Sequence, residues 1–186
     1  MRERLLNELG GVARQQFLVY LMGPYEDYGE PEKAAFDRLL RVRDALRVEP
    51  GVNAFLAIDA NVPLDEMDAA TQSVEFARAS NAVAFVAPRG GRNLGVGIEV
   101  GAILERIHER ASTEADERVV FAHEKTVRSA MIDSLSQRWN VTVYSYGDTE
   151  ELIGQMREFV SNVVSRELTG ELSDPGSEEF HSNDDP

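Results

Sequence analysis

The chain has 186 residues, room for one α/β domain with a substantial core. It carries 33 acidic against 19 basic residues, a net charge of −14, and no cysteine. Disulfides, thiol nucleophiles and cysteine-based metal sites are therefore excluded, and the lack of any basic stripe argues against nucleic acid as a partner.

The first stretch, Arg2 to Arg14, repeats Leu5, Leu6, Leu9 and Val12 at helix spacing, so residues 1–14 are expected to form an N-terminal helix that Gly10 and Gly11 weaken. It is charged and lacks the continuous apolar core of a signal peptide. No apolar run approaches the roughly 18 residues of a membrane span, so a cytoplasmic chain without membrane contact is expected. Phe17 to Met22 is a compact apolar run, the first strand, and Gly23-Pro24-Tyr25 signals a turn after it. An acidic loop follows, then a helix over Glu32 to Val48 with Pro31 in its first turn. Ala35, Phe36, Leu39, Leu40, Val42 and Leu46 form its apolar stripe.

Glu49-Pro50-Gly51 predicts a turn, and Val52 to Ile58 a second strand with Asp59 at its end. Val62 to Ala79 reads as a helix with Met67, Ala70, Val74 and Ala77 inward. Ala82 to Ala87 is the third strand. A Gly-rich loop leads into a helical pattern from Val96 to Arg110, with Glu99 in or near its first turn. Arg118 to Ala122 is the fourth strand, closing on His123, and Thr126 to Gln137 a short helix. Val141 to Tyr146 is the fifth strand and Thr149 to Leu168 the last helix, with Leu152, Met156, Phe159, Val160 and Val163 inward. Residues 170–186 hold no basic residue and little to bury, and are expected to be a disordered acidic tail.

Strands alternating with helices predict a five-stranded parallel sheet in a flavodoxin- or Rossmann-like three-layer sandwich over residues 15–169. A flavodoxin-like order sets the first and third strands side by side. Gly23-Pro24-Tyr25 and the Gly91–Glu99 loop then meet at the switch point, where such sheets bind ligands.

The motif Gly23-Pro24-Tyr25 after the first strand, with Asn93-Leu94-Gly95-Val96-Gly97-Ile98-Glu99-Val100-Gly101 after the third, resembles the nucleoside 2-deoxyribosyltransferase superfamily. The second motif is especially similar to the branch of the 2'-deoxynucleoside 5'-monophosphate N-hydrolases. The resemblance implies a Rossmann-like sheet and cleavage of the bond between a base and C1' of a deoxyribose, with Glu99 as the nucleophile. The chemistry suits that residue: a carboxylate below the ring can stabilise or attack an oxocarbenium-like C1'. Gly95 and Gly97 let a sugar approach the backbone, and N–H groups at the helix start can hold a 5' group. A glutamate in a first helical turn also complements the helix dipole with no further role.

The resemblance implies that Gly23, Pro24 and Tyr25 line the pocket, and that Asn93 contacts the 5' end of the ligand. Arg92, with Arg89, can grip a phosphate or stay solvated. Asp59 stands where related folds meet a ribose hydroxyl, or it caps the helix that follows. His123 can act as a general acid or simply close its strand. Ser73 occupies the position where the family usually has an aspartate, Glu75 should face elsewhere, and Asn81 replaces an aspartate before the third strand.

The expected ligand is a nucleoside or nucleotide, with no cofactor; His108 falls on a predicted helix and His181 in the tail, and with neither a second histidine nor carboxylates at ligand spacing no metal site is expected. The resemblance also allows a homodimer in which a neighbour completes the pocket. A non-catalytic or NAD-cleaving TIR-like nucleotide-binding module is the alternative. Lys33 and Lys125 are the only lysines, and an acidic, lysine-poor surface suits a cytoplasm of very high salt, so a halophilic source is expected. An ordinary acidic protein with an acidic tail is the plainer explanation.

Overall fold

The computed structural model describes residues 1–9, 16–24, 30–89, 101, 116–127 and 141–173. In chain order the elements are α1 (Arg2–Glu8), β1 (Phe17–Met22), α2 (Glu30–Arg47), β2 (Val52–Phe55) and a 3-10 turn at Ala57–Asp59. Then come α3 (Ala69–Ala79), β3 (Ala82–Ala87), a 3-10 turn at Asp116–Arg118, β4 (Val119–Glu124), β5 (Thr142–Tyr146) and α4 (Thr149–Leu168). The strands form one sheet in the order β2-β1-β3-β4-β5, every pairing parallel. This is the three-layer α/β sandwich that the alternating pattern predicts, with β1 and β3 adjacent.

The strands are apolar on both sides because both faces are covered. Leu18, Tyr20 and Met22 of β1 pack with Phe55, Val83, Phe85 and Phe121 against Phe76 of α3 and Leu5 of α1. Tyr20 and Phe55 stack with centroids 5.1 Å apart, and Phe76 meets both edge-on. Val19 and Leu21 face the other way, with Leu39, Val42 and Leu46 of α2 and Leu152, Met156 and Phe159 of α4. Each such side chain, fully buried, is worth about 1.5–3 kcal/mol against exposure.

Several boundaries differ from the sequence pattern. The helix expected from Val62 starts at Ala69, because Asp68 caps it: its carboxylate accepts from the N–H groups of Ala70 and Thr71. The chain before it turns on the Pro63 carbonyl, which accepts from Glu66 and Met67. Its inner face also differs. Gln72, Ser73, Phe76 and Ala79 are buried with Ala77, whereas Ala70 is exposed. Gln72 tolerates burial because its amide donates to the carbonyls of Val62 and Met67.

β2 stops at Phe55, leaving Ile58 exposed in the 3-10 turn. β4 runs two residues further than expected, through His123 and Glu124. The expected turn at Glu49-Pro50-Gly51 is present, with Gly51 at φ +80°, a backbone region that glycine reaches without cost. The packed chain also extends beyond the expected start of the tail. Leu172 is buried against the α2/α4 side, and Arg118 donates to the Ser173 carbonyl. The rest of the expected tail lies outside the described residues. So do the expected helices between β3 and β4 and between β4 and β5, apart from Gly101, which is helical, and Thr126 and Val127. Among the described residues no helix is long and apolar enough to cross a membrane.

Candidate functional site

The carboxyl edge of the sheet is built from strand ends. β1 delivers Gly23 and Pro24, both buried, and β3 delivers Pro88 and Arg89. Met22 pairs with Phe85, so the two exits lie side by side. A Cβ on Gly23 would meet Leu39 Cδ1 at 2.8 Å and the Val86 carbonyl oxygen at 3.0 Å. Glycine is thus what lets β1, β3 and α2 close together at this point. The chain runs from β1 through α2 to β2 on one side, and from β2 through α3 back to β3 on the other. The switch point of the sheet therefore falls between the ends of β1 and β3.

Glu99, Tyr25, Arg92, Asn93, Gly95 and Gly97 lie outside the described residues. Asp59 lies within them, and both of its oxygens are engaged. Oδ1 pairs with Arg43 at 2.7 Å, while Oδ2 accepts from the Leu56 N–H at 2.9 Å and lies 3.3 Å from Arg47. It caps the 3-10 turn from within rather than the helix that follows.

Ser73 is buried on α3, and Glu75 is half-buried and pairs with Arg78. Asn81 lies at the opposite, amino edge of the sheet. Its side chain accepts from Leu18 N–H and donates to the carboxylate of Glu167, and Arg118 donates to its carbonyl and to Glu167. His123 ends half-buried at the carboxyl edge, its Nδ1 3.1 Å from the Glu124 carbonyl oxygen.

One cluster at this edge escaped the sequence pattern. Glu124 Oε2 accepts from the backbone N–H of Arg89 at 3.1 Å, and Arg38 of α2 lies 3.5 Å from the same oxygen. Arg38 also donates to the Tyr146 hydroxyl at 3.3 Å, with its guanidinium 5.3 Å from the centre of that ring. The Arg38 Nε is buried without a hydrogen-bond partner among the described residues, so the cluster retains a donor to offer. Burial pushes the Tyr146 phenol above its ordinary range, and the hydrogen bond from Arg38 pulls it part of the way back. Nearby, Lys125 and then the Gly147 N–H hold the Glu151 carboxyl below the usual range, tying β4 to the start of α4. A signal for Arg38 was present: it lies three residues after Ala35 and four before Val42, on the inward stripe of α2. Glu124 was hidden because the strand was expected to end at Ala122.

These features define a doubly wound parallel α/β domain with its switch point at the ends of β1 and β3. The chain belongs to the DUF7509 family, a domain of unknown function, whose pattern matches residues 28–175. No curated protein matches it in sequence. Among solved structures it is similar to a Clostridium botulinum CMP N-glycosidase, BcmB. The identity is 12%, with 76% of this chain and 98% of the other covered and a TM-score of 0.55. It is also similar to the SEFIR domain of IL-17 receptor B, at 12% identity, 79% and 96% coverage and a TM-score of 0.51. At that identity the likeness speaks for the fold alone.

Proposed function

We infer that the protein is an N-glycosidase or deoxyribosyltransferase acting on a nucleoside or nucleotide, with Glu99 as nucleophile. The observation that carries this reading is the juxtaposition at the switch point. β3 ends beside Gly23 and Pro24, and the Gly-rich segment with Glu99 follows directly from it. A fold shared with a CMP N-glycosidase supports the same reading.

In the proposed reaction the Glu99 carboxylate bonds to C1' as the C1'–N bond breaks. The base leaves with the bonding electrons and takes up a proton. Water, or a second base, then displaces the carboxylate and restores it. Gly95 and Gly97 admit the sugar, Tyr25 and Pro24 bound the pocket, and Asn93 and Arg92 hold the 5' group. Asp59 would reach a ribose hydroxyl only through lone pairs that Arg43, Arg47 and Leu56 leave unused. The reaction needs no cofactor.

The test is release of free base from a panel of deoxynucleosides and their 5'-monophosphates, in high salt. Glu99→Gln should lower the rate by about three orders of magnitude. No release by wild type, or equal release by the variant, overturns the reading.

A second reading is a nucleotide-binding or NAD-cleaving TIR-like module. Ser73, at the position where the resemblance calls for an aspartate, favours it, and the same fold serves as a receptor domain in the IL-17 receptor B structure. Nucleotide binding without turnover, or nicotinamide release from NAD, would select it over base release from deoxynucleotides.

A further inference from the structure

We propose that Glu124, backed by Arg38 and Tyr146, is a positioning residue that sets the direction in which the chain leaves β3 toward the Gly-rich segment. The proposal rests on the reading of that segment as the bearer of the reactive carboxylate.

β3 pairs with β4 as far as Ala87 and His123. The next residue of β3's chain is Pro88, which has no N–H, so the backbone ladder cannot continue through it. Arg89 is the first residue beyond it with a donor. That donor goes to the side chain of Glu124 rather than to a backbone carbonyl of β4. A side-chain carboxylate thus takes over where the ladder stops.

The carboxylate is itself held from behind. Glu124 lies on the α2/α4 side of the sheet, one residue past His123, and its neighbour in register on β5 is Tyr146. Arg38 spans the two, donating to the Tyr146 hydroxyl and lying 3.5 Å from the carboxylate. At that distance the ion pair with Arg38 is long, and a half-buried pair of this kind is weak evidence for stability. Its service is geometric: α2, β4 and β5 together fix one oxygen, and that oxygen fixes the Arg89 N–H. By contrast, the pairs Arg41–Glu150 and Arg157–Glu49 are exposed, and among the described residues their carboxylates hold no backbone group.

Backbone direction matters more at a strand exit than elsewhere. A displacement of about 1 Å at a reacting group can cost on the order of a hundredfold in rate. An exit whose first backbone donor is held by a charged hydrogen bond is a point where such a displacement would begin.

The experiment uses the full chain and reads two quantities. The first is amide exchange at Arg89 by NMR. Glu124→Ala removes the acceptor and should speed exchange there about tenfold or more, with the amides of β1 little changed. Glu124→Gln keeps an oxygen in the same place and should hold exchange within about threefold of wild type. The second is base release. With an active wild type, Glu124→Ala should lower kcat about tenfold or more with KM little changed, and Glu124→Gln should recover most of it.

Unchanged Arg89 exchange in Glu124→Ala overturns the proposal, because the hydrogen bond would then hold nothing. Faster exchange with unchanged kcat in an active protein overturns the positioning role. If wild type releases no base, the glycosidase reading falls, and the exchange measurement still decides whether Glu124 holds the exit of β3.

Discussion

Gly23 faces Leu39 so closely that a methyl group on it would lie 2.8 Å from Leu39 Cδ1. The Val86 carbonyl oxygen stands 3.0 Å away on the other side, and a backbone atom in the sheet yields little. Leu39 is fully buried, so its movement is limited too. Gly23→Ala should therefore destabilise the protein by about 1–3 kcal/mol, the usual cost of overpacking. Leu39→Ala should cost about 2–5 kcal/mol alone. The double variant should lose less than the sum, because the truncated leucine leaves room for the new methyl. Chemical denaturation of the three variants checks this, and strict additivity would mean that Leu39 is not what excludes a side chain at position 23.

Tyr146 makes a prediction about alkaline pH. Burial favours its neutral phenol in the folded state and raises its titration above the ordinary value of 10.0. Tyr144 is shifted the same way, by burial and then by Glu158. A raised folded value means that this stability is fully present below the unfolded value and is lost as pH rises through the folded one. Stability should thus decline above about pH 10 as the two phenols ionise. Phenolate absorbance should show Tyr144 and Tyr146 titrating late in the folded protein. Tyr146→Phe should remove one late component and flatten the alkaline limb of the stability curve.

The sheet was legible because its physics is local. Phe17–Met22 and Ala82–Ala87 are continuous apolar runs bounded by turn residues, and α4 begins at a capping Asp148 and keeps a clean stripe over its whole length. The strand order could not be read from the sequence; the flavodoxin-like order expected from the fold class is the one the sheet has. The start of α3 was not legible from periodicity, because Val62 and Met67 fit the apolar pattern and half of the capping information sits in Asp68. Leu172 was missed because a single apolar residue in a polar stretch carries no period. At the site, Gly23 and Pro24 could be read from the break they put at the end of the apolar run. The bond from Arg89 N–H to Glu124 joins residues far apart in sequence and belongs to no motif, so only the folded chain reveals it.

The amino edge of the sheet has its own polar lock. Arg118 and Glu167 form an ion pair with little exposure, and the Asn81 amide nitrogen lies within hydrogen-bond distance of both Glu167 oxygens. Arg118 also holds the carbonyl of Ser173, the end of the described chain after Leu172. Removing the carboxylate alone leaves a guanidinium poorly solvated, so Glu167→Ala should cost about 3 kcal/mol. Replacing both partners by apolar residues, Arg118→Met with Glu167→Leu, should cost less than the two single changes together. Equilibrium unfolding measures both. A cost for Glu167→Ala below about 1 kcal/mol would show the pair to be no more than a surface contact.

Charge sets the last expectation. A net charge of −14 on 186 residues makes the folded chain repel itself, and compaction concentrates that repulsion. Salt acts in two opposing ways here. It weakens exposed pairs such as Arg41–Glu150 and Lys125–Glu151, each worth little to begin with. It also screens the excess of carboxylates, cutting the Debye length from about 10 Å at 0.1 M to about 3 Å at 1 M. Each exposed pair is worth little on its own, whereas the uncompensated charge of −14 acts across the whole surface, so screening should win. The melting temperature should rise between 0.1 M and 1 M potassium chloride, and most steeply at the low end. A melting temperature that fell over that range would mean that attractive pairs dominate the surface, and the halophilic reading of its composition would fall with it.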